Sequence, residues 1–308
     1  MVKRAQLKIQ NSKLKTAAGS RTVGGLVQEG TRRFRAARLE YGHGTLNPRD
    51  EAAYLTLHAL KLPLDTPARA LARIVSGREA QRTRKLFDRR IRSRKPSAYL
   101  TKEAWLGDLR FYVDERVIVP RSHIAALLNE RLAPWIVRPG NVATALDLCT
   151  GSGCLAILLA HSFPRARIAA ADVSRAALAV ARINVRQYRL GRRIRLVQSD
   201  LFSALRGKRY DLIVCNPPYV TSSAMRRLPR EHRHEPRIAL AGGPDGLGLV
   251  WAILLGAAAY LRPEGLLVME VGSGRLRVER AFPRIDFTWP DVPGGGDVLI
   301  ARRELLPG

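Results

Sequence analysis

The chain has 308 residues, 46% of them apolar, enough for a sizeable core, which excludes a disordered or fibrous polymer. Its 53 Lys and Arg against 26 Asp and Glu leave a net charge of +27, a balance that points toward polyanions such as nucleic acid or a ribonucleoprotein. No apolar leader follows the basic start, and the longest uncharged apolar run, Gly246 to Leu261, is shorter than the roughly 20 residues of a bilayer span, so a soluble cytoplasmic protein without membrane contact is expected.

The basic excess is mostly arginine, 44 residues against nine lysines. A GC-rich genome raises arginine by itself, so composition leaves RNA contact and codon bias both open. Cys149, Cys154 and Cys215 have no paired spacing and support neither a disulfide framework nor a zinc site.

Residues 1–21 carry six basic and no acidic side chains and read as a solvated basic arm without ordered structure. Residues 22–96 read as a helical domain. There Ala52, Leu55, Leu57 and Leu60 follow Asp50, an expected N-cap, Pro63 is the expected stop, and Thr66-Pro67 opens another helix. Arg78 to Lys95 holds nine basic and two acidic residues, so a helix there would be nearly all positive on its outer face. Residues 97–122 read as a β-hairpin linker, from Trp105, Phe111, Val113, Val117 and Val119 punctuated by Leu106-Gly107-Asp108 and Asp114-Glu115.

Residues 123–308 alternate strand and helix. Strands are predicted at Ala143–Leu148, Arg167–Ala171, Ile194–Val197, Asp211–Cys215, Gly265–Val271 and Val298–Ala301. Helices are predicted from Gly153 to His161, from a Ser174 cap to Tyr188, and from Gly246 to Leu261. That alternation predicts a doubly wound, mainly parallel α/β sheet. Trp105, Trp135, Trp251 and Trp289 read as core residues.

Gly151-Ser152-Gly153 follows the first of these strands and opens a helix, so backbone can approach a ligand closely and free N–H groups face it. Ala156 completes a dinucleotide-type fingerprint, and Asp172 stands 19 residues after Gly153, where a ribose-binding acid is expected. At this step NAD and S-adenosylmethionine both fit.

Asn216-Pro217-Pro218-Tyr219 follows the strand Asp211–Cys215 and therefore lies at the carboxyl edge of the sheet. Two prolines stiffen the segment, leaving its carbonyls and the Asn216 amide oxygen as outward acceptors. Two such acceptors match the two hydrogens of a planar –NH2 group. Holding both hydrogens orients a delocalised, poorly nucleophilic nitrogen toward an electrophilic methyl, and Tyr219 can lie against the flat group.

This combination resembles the S-adenosylmethionine-dependent protein-glutamine amide methyltransferases, the family that includes the peptide release factor enzymes. Asp147-Leu148-Cys149-Thr150-Gly151-Ser152-Gly153, Asp172, Asp200-Leu201-Phe202 and Asn216 to Tyr219 carry the general likeness. A narrower likeness to the branch acting on ribosomal protein L-three comes from Tyr41 to Thr45 with Asp50 to Ala52, Ala98 to Thr101, Phe111 to Arg116 and Val119-Pro120-Arg121-Ser122. Ser122 stands where release-factor enzymes typically have proline. A carboxylate of the pattern is replaced by Ala126.

The resemblance covers about residues 22–305. It implies a Rossmann-like class I methyltransferase domain behind a helical substrate-recognition domain. Cys149, Thr150, Gly151, Ser152 and Gly153 would wrap the methionine part of S-adenosyl-L-methionine, with Asp147 supporting the turn. Asp172, beside Val173, would accept from the ribose, and Asp200 with Leu201 would border the adenine. Asn216, Pro217, Pro218 and Tyr219 would hold a glutamine amide, with Asn216, Pro217 and Tyr219 the catalytic set. His234-Glu235-Pro236 and Gly242 to Gly246 would flank the substrate channel. Arg121 is either a substrate contact or a tie between hairpin and core.

Cys149 and Cys215 flank this site and read as small interior residues rather than nucleophiles. His232 and His234 lack a third ligand in register, so no metal is expected. The implied reaction is methyl transfer to a glutamine of large-subunit ribosomal protein L-three, within pre-ribosomal particles and with rRNA contact through the basic surface. Methylation of a release factor, or of an adenine amino group in nucleic acid, is the alternative. A non-catalytic RNA-binding assembly factor and an NAD dehydrogenase are weaker readings.

Overall fold

The computed structural model describes residues 21–307, so the basic arm expected over 1–21 lies outside the described residues except for Arg21. The chain forms two compact units, the first running to Arg110 and including Pro229–His234, the second made of Phe111–Leu228 and Glu235–Gly308.

The first unit packs helices α1 (Val23–Ala36), α2 (Pro48–Ala59), α3 (Gly77–Ser93) and α4 (Ser97–Thr101). Phe34 and Phe87 meet edge-to-face at 5.2 Å in its core, beside Ala52 and Leu55. The α2 cap is Asn47 rather than Asp50. Its side chain accepts from Arg49 and Asp50 N–H, and Pro48 occupies the first helical position, where a missing N–H costs nothing. The helix ends at Ala59, before Pro63 can act, because Lys61 turns left-handed at φ 56°. After Thr66-Pro67 the chain makes only a 3₁₀ turn, Ala68–Ala72.

Ser76 and Glu79 form a reciprocal cap at the start of α3. The outward face of this helix is nearly all positive, as its composition predicts, with Arg78, Arg82, Arg84, Lys85, Arg89 and Arg92 exposed, but one arginine turns inward. Arg90 is 1% exposed, its Nε donating to Glu51 and its Nη2 to Glu40 O at 3.0 Å. Glu231, from the returning segment, lies 3.7 Å from Arg90 Nη1 and accepts from Arg94 Nη1 at 3.0 Å. A buried guanidinium persists because carboxylates meet it inside.

The hairpin is shorter than predicted. β1 (Ala104–Leu106) and β2 (Leu109–Phe111) flank Gly107, whereas Tyr99 lies in α4 and Val113 to Val119 form no strand. Val113, Val117 and Val119 are buried in irregular backbone, so their apolar character reflects burial and not pairing.

The second unit opens with α5 (Ile124–Asn129) and then alternates β3 (Thr144–Leu148), α6 (Cys154–Ser162), β4 (Arg167–Asp172), α7 (Arg175–Gln187), β5 (Ile194–Gln198) and β6 (Tyr210–Cys215). It closes with α8 (Ser222–Arg227), α9 (Gly248–Tyr260), β7 (Leu261–Gly272), α10 (Arg275–Ala281) and β8 (Asp297–Arg302). The sheet order is β5-β4-β3-β6-β7-β8, with every pairing parallel except β7 to β8. Leu146, Ile213, Leu267 and Leu299 from the sheet and Val250, Ile253 and Leu254 from α9 build one core. The four tryptophans are half-buried at core margins or surface, not interior, since the indole is too large to be enclosed easily. Among the described residues no helix is long and apolar enough to cross a membrane.

Candidate active site

Four parallel strands end at one level. Leu148 pairs with Ala171 and Cys215, and Cys215 pairs with Met269. The next residues, Cys149, Asp172, Asn216 and Glu270, therefore form a row at the carboxyl edge. The strand order reverses beside β3 and β6, where open α/β sheets bind ligands.

Cys149, Gly151 and Gly153 are left-handed, at φ 59°, 53° and 78°, which folds the loop back on the strand end. Thr150 N donates to Ala171 O at 2.9 Å. Asp147 holds the loop from beneath, accepting from Thr150 Oγ1 and from Ala156 N at 2.9 Å. Its complete burial pushes the carboxyl up to about 7. Asp172 accepts from Gly151 N at 2.8 Å and Ser174 N at 2.9 Å, which straps the loop to the start of α7. Burial raises its pKa too.

Beyond these residues, Val173 and Asp200 are exposed, and Leu201 is half-buried at φ 43° with its carbonyl accepting from Ser199 Oγ at 2.6 Å. Ser199 N donates to Asp172 O, so the Asp200-Leu201 turn leaves the sheet beside Asp172.

Pro217 and Pro218 are buried, while Asn216 is half-buried. Among the described residues nothing hydrogen-bonds the Asn216 carboxamide. Tyr219 is fixed instead: its hydroxyl donates to Glu270 Oε1 at 2.9 Å. Burial, and then the Glu270 charge, raise its pKa. Glycines allow close approach around it. A Cβ on Gly242 would sit 2.7 Å from Tyr219 Cα, and one on Gly272 would sit 2.6 Å from its ring.

Two carboxylates that the sequence reading left without such a role organise the approach to this tip. Glu270, 2% exposed, also accepts from Ser122 Oγ at 2.7 Å and His123 N at 3.0 Å. Glu235, 3% exposed, accepts from Val119 N at 3.0 Å and from both terminal nitrogens of Arg121 at 2.5 and 2.8 Å. Arg121, which also donates to Val119 O, is thus a tie within the second unit, with Glu235 as its carboxylate partner. The signal for Glu270 was a single carboxylate inside the apolar run Leu266 to Val271, one residue past the level of Cys215. Asn184, also missed, is fully buried and donates to Ser152 O and Tyr112 O at 2.9 and 3.0 Å.

Cys215 is fully buried, and burial followed by contact with Cys149 raises its pKa, which suits an interior thiol and not a thiolate nucleophile. His234 and His232 belong to the first unit, with His234 Nε2 2.9 Å from Ser93 O and the His232 ring tilted against that of His43 at 4.2 Å.

The row suits a ligand rich in hydroxyl and amino donors. Asp147 Oδ1 is buried without a hydrogen-bond partner, the position a Cβ on Gly151 would take is open, and the backbone of Asp172 bonds the turn that leads into Asp200. These features fit an adenosine-bearing cofactor with an amino-acid arm.

A family model described as the methyltransferase small domain matches residues 126–230. The chain is 51% identical over 286 residues to a ribosomal protein uL3 glutamine methyltransferase of Bordetella pertussis, covering 92% of this chain and 96% of the relative. It is 50% identical over 288 residues to a protein of the same name from Neisseria meningitidis serogroup B, covering 93% and 95%. A crystal structure of a methyltransferase from Pyrococcus furiosus aligns with TM-score 0.45 and 16% identity over 63% of this chain and 88% of that one.

Proposed function

The chain belongs to the ribosomal protein uL3 glutamine methyltransferase family, and from that premise we propose that it transfers a methyl group from S-adenosyl-L-methionine to the side-chain amide nitrogen of a glutamine in uL3. The observation that carries the reading is the unengaged Asn216 carboxamide, held on a proline-stiffened tip one strand from the glycine loop.

In this reading Cys149 to Gly153 hold the amino-acid arm of the cofactor, Asp172 with Val173 holds the ribose, and Asp200 with Leu201 borders the adenine. The bound cofactor supplies an electrophilic methyl on a sulfonium. Asn216 Oδ1 and the backbone carbonyl of Pro217 accept the two amide hydrogens and so aim the substrate nitrogen. The nitrogen forms its new bond to carbon as the carbon–sulfur bond breaks, and the surplus proton passes to water. No strong base is required, because an N-alkylated amide cation is acidic. Tyr219, locked by Glu270, bounds the slot for the flat amide.

The reaction takes place in the cytoplasm, on uL3 carried in pre-ribosomal particles, with rRNA met by the basic surface. A strongly cationic enzyme would be repelled by a basic protein alone.

The experiment is incubation with labelled cofactor and, separately, uL3, assembling particles, a peptide release factor and RNA. Label on a single glutamine peptide of uL3 supports the reading. Label confined to the release factor or to adenine overturns it.

A further inference from the structure

The edge of the catalytic sheet opposite the site has a chemistry of its own. We propose that this amino edge is an RNA-docking surface that engages phosphates through Arg165, Arg167, Arg186, Arg189 and Arg192, an inference that rests on the ribosomal reading above and gives its RNA contact a location.

Between Pro164 and Ser199 the chain has nine arginines and one carboxylate, Asp172, which lies at the carboxyl edge. Arg165 stands in the turn after α6 and Arg167 begins β4. Arg186 is in the last turn of α7, and Arg189 and Arg192 lie in the connection to β5. Because α7 runs back along the parallel strands and Ile168 pairs with Ile194, all five converge on one edge. All five are exposed, and among the described residues none has an ion-pair partner.

Arg193, in the midst of them, is turned inward. Its guanidinium donates to Ala160 O, Phe163 O and Ala166 O at 2.7–2.9 Å and closes the carbonyl end of α6. The partial negative charge of that helix end is thereby already answered, leaving the other five uncompensated. Of the nearby carboxylates, Asp211 accepts from Ala143 and Thr144 N–H, and exposed Glu130 closes α5, whose Leu128 O meets Ser162 Oγ. Neither pairs with the five.

Like charges gathered on one edge, as these five are, repel one another unless a counter-charge is present. In the first unit several arginines are answered by carboxylates, as at Arg33 with Asp88, Arg84 with Glu29 and Arg73 with Glu79. An edge without such answers fits a partner that brings the negative charge. The planar two-pronged guanidinium matches phosphate oxygens, and RNA is the phosphate polymer that accompanies a ribosomal protein. Docking there leaves the opposite, catalytic edge free for the substrate amide.

The test is fluorescence anisotropy of a labelled RNA hairpin with the full chain over a KCl series, wild type against R165Q/R167Q/R186Q/R189Q/R192Q. Loss of the surface should weaken binding ~10-fold or more and flatten the log–log salt dependence by about 3. Methylation of RNA-free uL3 should not fall, since fewer positive charges lessen the repulsion between enzyme and basic substrate. Unaltered RNA affinity and salt slope at an unaltered melting temperature overturn the proposal, as does selective loss of binding to phosphatidylserine vesicles. If the fivefold variant does not fold, R165Q/R167Q and R186Q/R189Q are measured separately, each expected to shed part of the slope; no change in either overturns the proposal. Failure of the wild type to methylate uL3 would be read in the methylation assay alone, so the catalytic reading and this surface fail separately.

Discussion

Tyr219 Oη donates to Glu270 Oε1 at 2.9 Å, while Glu270 Oε2 accepts from Ser122 Oγ and His123 N. One buried carboxylate thus fixes the proline tip and the segment after Arg121 together. Tyr219→Phe removes the donor and keeps the ring. A hydrogen bond to a charged group contributes about 1.5–3 kcal/mol. Where that energy positions the slot, kcat should fall roughly 10- to 100-fold with the KM for S-adenosyl-L-methionine unchanged. Steady-state kinetics on both substrates checks this, and an unchanged kcat would mean that the ring alone sets the tip.

Asn216 makes no intramolecular hydrogen bond among the described residues, so its amide is not needed for folding. Asn216→Ala should leave the melting temperature and calorimetric cofactor binding unchanged while lowering kcat by about 10² to 10³. Asn216→Asp keeps an acceptor and should lose less. Equal losses in melting temperature and activity would assign the residue to the fold instead.

Much of this site was legible because it obeys local rules. A strand running into Cys149-Thr150-Gly151-Ser152-Gly153 and another into Asn216-Pro217-Pro218-Tyr219 fix their own position once the sheet is parallel, and Ser174 capped α7 as read. What escaped was non-local. Glu270 and Glu235 take their partners 147 and 114 residues away, a pairing that no periodicity announces. Val113 to Val119 imitated a strand because burial and pairing favour the same side chains. The inward turn of Arg90 escaped for want of its distant partner Glu51.

Asp147 gives a pH signature. Burial raises its carboxyl from 3.8 to about 7, so between those values the native chain keeps a proton that the unfolded chain has released. Stability from this group therefore falls as pH rises through the window. Asp147→Asn cannot titrate, so its stability relative to wild type should improve by up to about 4 kcal/mol from about pH 4 to about pH 7. Urea midpoints at the two ends check this. A pH-independent difference would put the carboxyl at its ordinary value.

In the first unit Arg90 is 1% exposed, Glu51 2% and Glu231 1%, with Thr45 Oγ1 donating to Glu51 at 3.1 Å and Glu40 N to Glu231 at 3.3 Å. The cluster seats the returning segment Pro229–His234 against α3. Arg90→Met deletes the cation and leaves Glu51 buried without its partner, which should cost about 3–5 kcal/mol. Adding Glu51→Leu removes the stranded charge, so Arg90→Met/Glu51→Leu should be more stable than Arg90→Met alone, although it carries one more change. Denaturant unfolding of both variants measures the difference. If the second substitution instead adds its own loss to the first, the two side chains are not energetically coupled, and the segment must be seated by Arg94 and Glu231 alone.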